Sequence, residues 1–202
     1  MSDEPRSVLL DLPQRLETQR LILRAPGPGD GAIVFPAVRD SLNELMRWMI
    51  WARPDYSQND AEEWCRRSAA QWLTRDQLQF VILARPDQRY LGSIGAFKLD
   101  WKVPSGEIGY WLRTDQTGRG YMTEAVCAVT QFLHESLGFV RVQICMDDRN
   151  ERSWRVAERC GFVLEAIHRS DQRRPDGVLR DTRVYAKVAD PGKVKPAGLL
   201  GD

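Results

Sequence analysis

The order in which hydrophobic periods of two and of 3.6 follow one another constrains this chain more than any single residue does. Thr18-Gln19-Arg20-Leu21-Ile22-Leu23-Arg24 is a β-type run that stops at the turn-rich Pro26-Gly27-Pro28-Gly29-Asp30. Apolar residues then recur at helical offsets over residues 32–53 (Val34, Val38, Leu42, Leu45, Met46, Met49). A second helical stretch, 58–74, opens with Asn59 or Asp60 as its cap. Residues 80–84 and 90–99 read as strands around an Asp87-Gln88-Arg89 turn, and 107–112 as a third. The period returns to helical from Met122, with Val126, Val129, Leu133 and Leu137 on one face and Gly138 as the stop. Residues 140–146 form a strand, Asn150 caps a last helix that carries Val156 and Ala157 inward and stops at Gly161, and 162–168 and 182–188 are two further strands. Strand, two helices, three strands, helix, strand, helix, two strands predicts a mixed sheet flanked by helices, an α/β (α+β) chain with hairpins at the front and crossovers behind.

Composition removes several classes of function. Lys+Arg 29 against Asp+Glu 28 leaves a net charge of +1, so the electrostatic footprint of a nucleic-acid binder is missing. No apolar run nears the roughly eighteen residues of a membrane span, and residues 1–13 lack the basic start and the length of a signal peptide. A cytoplasmic chain without membrane contact is expected. Four cysteines without a C-x-x-C pair, beside only two histidines, predict neither a metal site nor a disulfide framework. The expected organisation is an N-terminal extension over 1–13, one domain over 14–190, and a flexible tail over 191–202, where Pro191, Gly192, Pro196, Gly198 and Gly201 fall.

The chemistry concentrates in residues 109–125, a strand that leads through Gly118-Arg119-Gly120 into a helix. The first turn of a helix offers amide groups without intrahelical partners at its positive end, and glycine removes the Cβ that would hold a phosphate away. The turn lacks the G-x-x-x-x-G-K-[ST] pattern and the third glycine of a dinucleotide fingerprint. A nucleoside triphosphatase and a Rossmann dehydrogenase are therefore disfavoured.

This segment resembles the acyl-CoA-binding motif of the GNAT superfamily of N-acetyltransferases, R/Q-x-x-G-x-G/A. Its surroundings are similar to the RimJ/RimL branch, which acetylates ribosomal-protein N-termini. The likeness runs over about residues 14–190, through T-x-R-L-x-L-R at Thr18, Glu107-Ile108-Gly109-Tyr110-Trp111-Leu112, the turn from Gly118 to Ala125, N-x-x-S at Asn150, Cys160-Gly161-Phe162 and Val184-Tyr185. Thr117 stands where the superfamily has Arg or Gln, and Met122 where it has Gly or Ala.

The resemblance implies the GNAT fold: a mixed, mostly antiparallel sheet of six to seven strands with about four helices, splayed at the acyl-CoA site. It implies acetyl-CoA, or another acyl-CoA, as co-substrate and no metal. Gly118, Arg119, Gly120, Tyr121, Met122 and Thr123 would hold the pyrophosphate through their backbone, while Trp111, Leu112, Arg113 and Asn150 would accompany the pantetheine arm. Glu107 is the expected base, and Ser153 the group that returns a proton to the CoA thiolate. Tyr185 is a weaker proton donor, read here as a core aromatic. Trp48, Trp51, Tyr56, Trp64 and Trp72 fall in the two early helices, which form a wall of the acceptor groove in this superfamily. Arg169, Arg173, Arg174, Arg180 and Arg183, interleaved with Asp171, Asp176 and Asp181, read as a self-compensated solvated loop.

The expected reaction is transfer of an acetyl group to a primary amine, foremost the α-amine of a ribosomal or other protein N-terminus. A polyamine, aminoglycoside or amino-acid acceptor, or a non-catalytic acyl-CoA-binding role, stays open. Because members of the family often pair, a homodimer is a further expectation.

Overall fold

Which strands pair, and where pairing stops, decides where this molecule can bind anything. The computed structural model describes residues 7–190, so the expected tail lies outside the described residues. Eight strands form one sheet in the order β1-β2-β3-β4-β5-β6-β8-β7. They are β1 Arg15–Glu17, β2 Leu21–Arg24, β3 Leu78–Ala84, β4 Tyr90–Asp100, β5 Ser105–Leu112, β6 Arg141–Asp147, β7 Val163–Arg173 and β8 Leu179–Val188. Every neighbouring pair is antiparallel except β5 with β6. Four α-helices flank the sheet: α1 Gly31–Trp48, α2 Gln58–Thr74, α3 Tyr121–Gln131 and α4 Glu151–Arg159. No helix among the described residues is long and apolar enough to cross a membrane.

The strand count exceeds the expected six to seven because Arg15–Glu17, ahead of the run at Thr18, pairs back on Leu21–Arg24, with residues 18–20 as the turn. Glu17 pairs with Ile22, and the Leu21 amide donates to Thr18 Oγ1 at 2.9 Å, so a hairpin replaces one strand. The arginine-rich stretch is likewise no loop. It forms the ends of β7 and β8, whose register shifts between His168 and Gln172, where Ser170 takes a φ of 51° and its amide is capped by Asp181 Oδ1 at 2.8 Å. Asp181 thus serves the backbone rather than balancing a guanidinium.

Two cores cover the two faces. Phe80, Ile82, Ile94, Ile108 and Ile144 meet α3 and α4 on one side, and Val81, Leu83 and Tyr90 meet α1 and α2 on the other. α1 stops at Trp48, short of the expected 53, because Met49 turns extended. The helical run after Met122 passes from α3 into a wider π turn over Phe132–Ser136. α2 is capped by Ser57 rather than by Asn59 or Asp60. Ser57 Oγ accepts from the Asp60 amide, and the Asp60 carboxylate accepts from the Ser57 amide at 2.8 Å.

These hydrogen bonds from the Ser57 side chain and backbone, with Arg53 beside them, hold the Asp60 carboxyl well below the ordinary carboxylate range, at about 2. A folded-state value below the unfolded one stabilises the fold above the unfolded value, and that contribution is lost as pH falls toward 2. Ser57→Ala is expected to return Asp60 toward about 3.9, the unperturbed aspartate value, in a carboxyl-resolved NMR titration. An unchanged titration would refute the box as the cause.

Candidate active site

β5 and β6 are joined at only three pairs, Ser105 with Arg141, Gly106 with Val142 and Glu107 with Gln143, and then part. Each arm stays bonded to its outer neighbour, β5 as far as Leu112 with Gly92 and β6 as far as Asp147 with Thr182. Carrying the register of Glu107 with Gln143 four residues on sets Trp111 and Asp147 opposite each other across the V. The inner backbone edge of β5 past Glu107 thus has no strand partner and is available to an extended ligand.

A cavity of about 670 Å³ runs through this opening. Successive strand residues point to opposite faces, yet Trp111, Cys145 and Asp147 line it together with Ile108, Tyr110 and Ile144, so it reaches through the sheet. Two ligands can therefore approach from opposite sides and meet in the V. Its outer walls are the segment after α1 (Met49, Ile50, Trp51), α2 (Trp64, Arg67) and the β7–β8 turn (Arg173, Arg174, Pro175). Of the expected acceptor-wall aromatics, Trp48, Trp51, Tyr56 and Trp64 line the cavity. Trp72 instead packs edge-on against Phe80 in the core, ring centroids 4.9 Å apart. Burial pushes the Tyr56 hydroxyl and the Cys145 thiol each up to about 12, which keeps both protonated at neutral pH.

The glycine turn fits a pyrophosphate. Gly118 and Gly120 take φ values of 76° and 79°, and a Cβ on Gly118 would meet nothing within 4 Å. The amides of Gly118, Arg119 and Gly120 donate to no backbone carbonyl among the described residues. The loop is held from behind by the first hairpin. Arg20 donates to the Arg119 carbonyl at 3.0 Å and to Glu124 Oε2 at 2.6 Å and lies over the Tyr121 ring at 4.7 Å; Thr18 Oγ1 donates to Glu124 Oε1 at 2.6 Å. The T-x-R at residue 18 therefore braces the glycine turn. Met122 is buried in the core, and the Thr123 hydroxyl accepts from Arg159 at 3.3 Å, which leaves mainly their backbone for a ligand. The Arg113 guanidinium is committed to Asp115 and Asp40, and Leu112 packs against the core.

Asn150 caps α4, its Oδ1 accepting from the Ser153 amide at 3.2 Å. The Tyr110 hydroxyl donates to the Ser153 carbonyl at 3.0 Å and lies 3.1 Å from Ser153 Oγ, tying β5 to the first turn of α4. Burial raises the Tyr110 hydroxyl far above its ordinary pKa, so it stays protonated. Sequence reasoning missed Tyr110, although it stands within the quoted E-I-G-Y-W-L run. Glu107 sits at the closed end of the V, 6% exposed, and does not line the cavity. Its Oε2 accepts from Lys98 Nζ at 2.9 Å and from Gln143 Nε2 at 3.1 Å. Tyr185 is buried in the core and donates to Glu158 at 3.0 Å, away from the cavity.

An open-ended V beside a glycine turn whose amides meet no backbone carbonyl among the described residues is a site that can take an extended ligand with an anionic end. The acetyltransferase (GNAT) domain family matches residues 20–163, and the chain belongs to that family. It is an N-acetyltransferase that uses acetyl-CoA. It is 32% identical over 112 residues to the probable N-acetyltransferase YjcK of Bacillus subtilis (strain 168), a match over 55% of this chain and 61% of that protein. It is 26% identical to the putative ribosomal N-acetyltransferase YdaF of the same organism, over 83% of this chain and 91% of that protein. The structure of RimL, a ribosomal L7/L12 alpha-N-protein acetyltransferase in complex with coenzyme A, superposes with a TM-score of 0.80 at 20% identity, over 86% of this chain and 97% of that one. That likeness is one of fold.

Proposed function

We propose that this acetyltransferase modifies the α-amine of a protein N-terminus by direct transfer, with donor and acceptor entering the V from opposite faces of the sheet. The observation that carries the reading is the cavity lining, in which six arginines stand against three carboxylates and four tryptophans supply the apolar wall. A polyamine or aminoglycoside would bring several positive charges to a positive wall, whereas a peptide end brings one and can lay its following side chains on the indole rings. The ribosomal acetyltransferases among the similar proteins support the same acceptor.

The choice of α-amine also reduces the chemistry required. A neutral α-amine at pH 7 is about 3–4 kcal/mol more accessible than a neutral lysine, because their pKa values lie near 7.7–8.0 and 10.4. In this reading Gly118 to Thr123 and Asn150 hold the donor, and the Leu112 backbone amide on the open edge of β5 faces the thioester oxygen, the Arg113 amide being already given to the Leu91 carbonyl at 2.8 Å. Ser153, oriented by Tyr110, returns a proton to the departing sulfur.

Release of CoA thiol is expected with free α-amine peptides, and not with the same peptides blocked at the α-amine and carrying a lysine, nor with spermidine or an aminoglycoside. Turnover confined to the polycations would overturn the reading.

A further inference from the structure

We propose that Asp147 receives the acceptor's ammonium group and takes its proton, which makes it the base of the reaction; this rests on the preceding reading that the acceptor is an amine. Asp147 is 2% exposed, ends β6 and lines the cavity opposite Trp111. Its two oxygens differ. Oδ1 accepts from the Arg149 amide at 2.9 Å and has Arg149 Nε at 3.6 Å, whereas Oδ2 is buried with no hydrogen-bond partner among the described residues. Its register partner on β8, Thr182, is in the same condition, its Oγ1 buried and unpartnered, and two residues along on the same face so is Arg180 Nε.

Buried polar groups are almost always hydrogen-bonded, and an ionised oxygen left without a donor is costly, so a row of three such groups, two of them on the cavity-lining residues Asp147 and Arg180, marks where a ligand completes the bonding. An ammonium carries three N–H donors, which suits Asp147 Oδ2 and Thr182 Oγ1 together. Arg180 Nε–H, the donor of the row, suits a carbonyl or carboxylate of the same acceptor. Glu107 does not line the cavity: at the closed end of the V it holds Lys98 and Gln143 through Oε2 and is hydrogen-bonded to the Cys145 thiol, and it is Cys145 that the cavity meets.

The proton balance closes with these groups. The ammonium gives one proton to Asp147 Oδ2, directly or through one water, and the freed lone pair bonds to the thioester carbonyl carbon. The carbon–sulfur bond breaks with its electron pair on sulfur. The second proton lost by nitrogen passes through the Ser153 hydroxyl to that sulfur, and Asp147 returns the first to solvent, so the products are an amide, CoA thiol and one proton.

Asp147→Asn keeps the shape and the Oδ1 contact to the Arg149 amide and removes the base. The test compares an α-amine peptide with the same peptide carrying an aminooxyacetyl end, whose weakly basic nitrogen is neutral at the assay pH. Asp147→Asn is expected to lower kcat/KM for the α-amine peptide by about a hundredfold, the lower end of general-base contributions. For the aminooxy peptide the loss is expected to stay below about fivefold, with acetyl-CoA affinity within about twofold of wild type. A loss of less than about threefold on the amine overturns the proposal, as does an equal loss on both acceptors, which is the mark of a structural role. Glu107→Gln tests the rival independently, whether or not Asp147→Asn folds. An amine-selective loss there moves the base to Glu107, while an equal effect on both acceptors supports Asp147. A wild-type protein that acetylates neither acceptor overturns the preceding reading and this proposal with it.

Discussion

Replacing Gly120 with valine is expected to raise the dissociation constant for acetyl-CoA by about a hundredfold or more, about 2.7 kcal/mol. Gly120 holds a φ of 79° at the start of α3. A β-branched residue there pays about 1–2 kcal/mol for left-handed backbone. The relaxed alternative swings the neighbouring amides away from a shared focus, and each charge-assisted hydrogen bond to phosphate that is lost costs about 1.5–3 kcal/mol. Space is not the cause, since a Cβ at Gly120 would approach only the flexible end of Arg20, at 3.4 Å. Calorimetric titration with acetyl-CoA reads the effect, and the melting temperature serves as the control for folding. Binding within about fivefold of wild type would mean that the turn does not hold the donor.

The second large effect is on stability. Phe80 is fully buried in β3 and lies edge-on to two rings, Trp72 of α2 at 4.9 Å and Phe132 beyond α3 at 6.2 Å. One side chain thereby ties α2, which lines the cavity, to the sheet and to the far end of the helix that begins at the glycine turn. Phe80→Ala is expected to cost about 3–5 kcal/mol in urea unfolding, the transfer free energy of the ring plus the cavity left behind. Against a total stability of about 5–15 kcal/mol, that leaves little margin. Phe80→Leu, which keeps most of the volume, should recover more than half. A loss below about 1 kcal/mol for the alanine variant would show that the surrounding rings collapse into the space.

Much of this molecule is legible from local rules. The change of hydrophobic period placed α2, α3, α4 and the strands β3 to β6 within a few residues, because burial on one face imposes a repeat that needs no knowledge of the partner. Asn150 and Gly161 mark the ends of α4, since caps act on the nearest few backbone groups. The glycine turn was recognisable for the same reason. Its conformation is set by φ values that only its own residues decide.

What stayed hidden is what depends on residues far apart in sequence. Arg20 and Glu124, 104 residues apart, brace the turn together, and neither shows that role alone. The arginine-rich stretch looked like a self-balanced loop because charge alternation resembles solvation. In the fold Arg173, Arg174 and Arg180 line a cavity and Asp181 caps a bulge. Glu107 and Asp147 are both single acidic residues at strand positions, and nothing local distinguishes them. One is held by donors on both neighbouring strands, while the other has an oxygen with none among the described residues. The sequence by itself determined the class of the fold, the family and the position of the glycine turn, because helix periods, strand runs and glycine turns are properties of contiguous residues. Only the tertiary structure decided where the sheet parts, what lines the opening and which carboxylate faces it, because burial and hydrogen-bond satisfaction are settled between strands that the chain brings together from a distance.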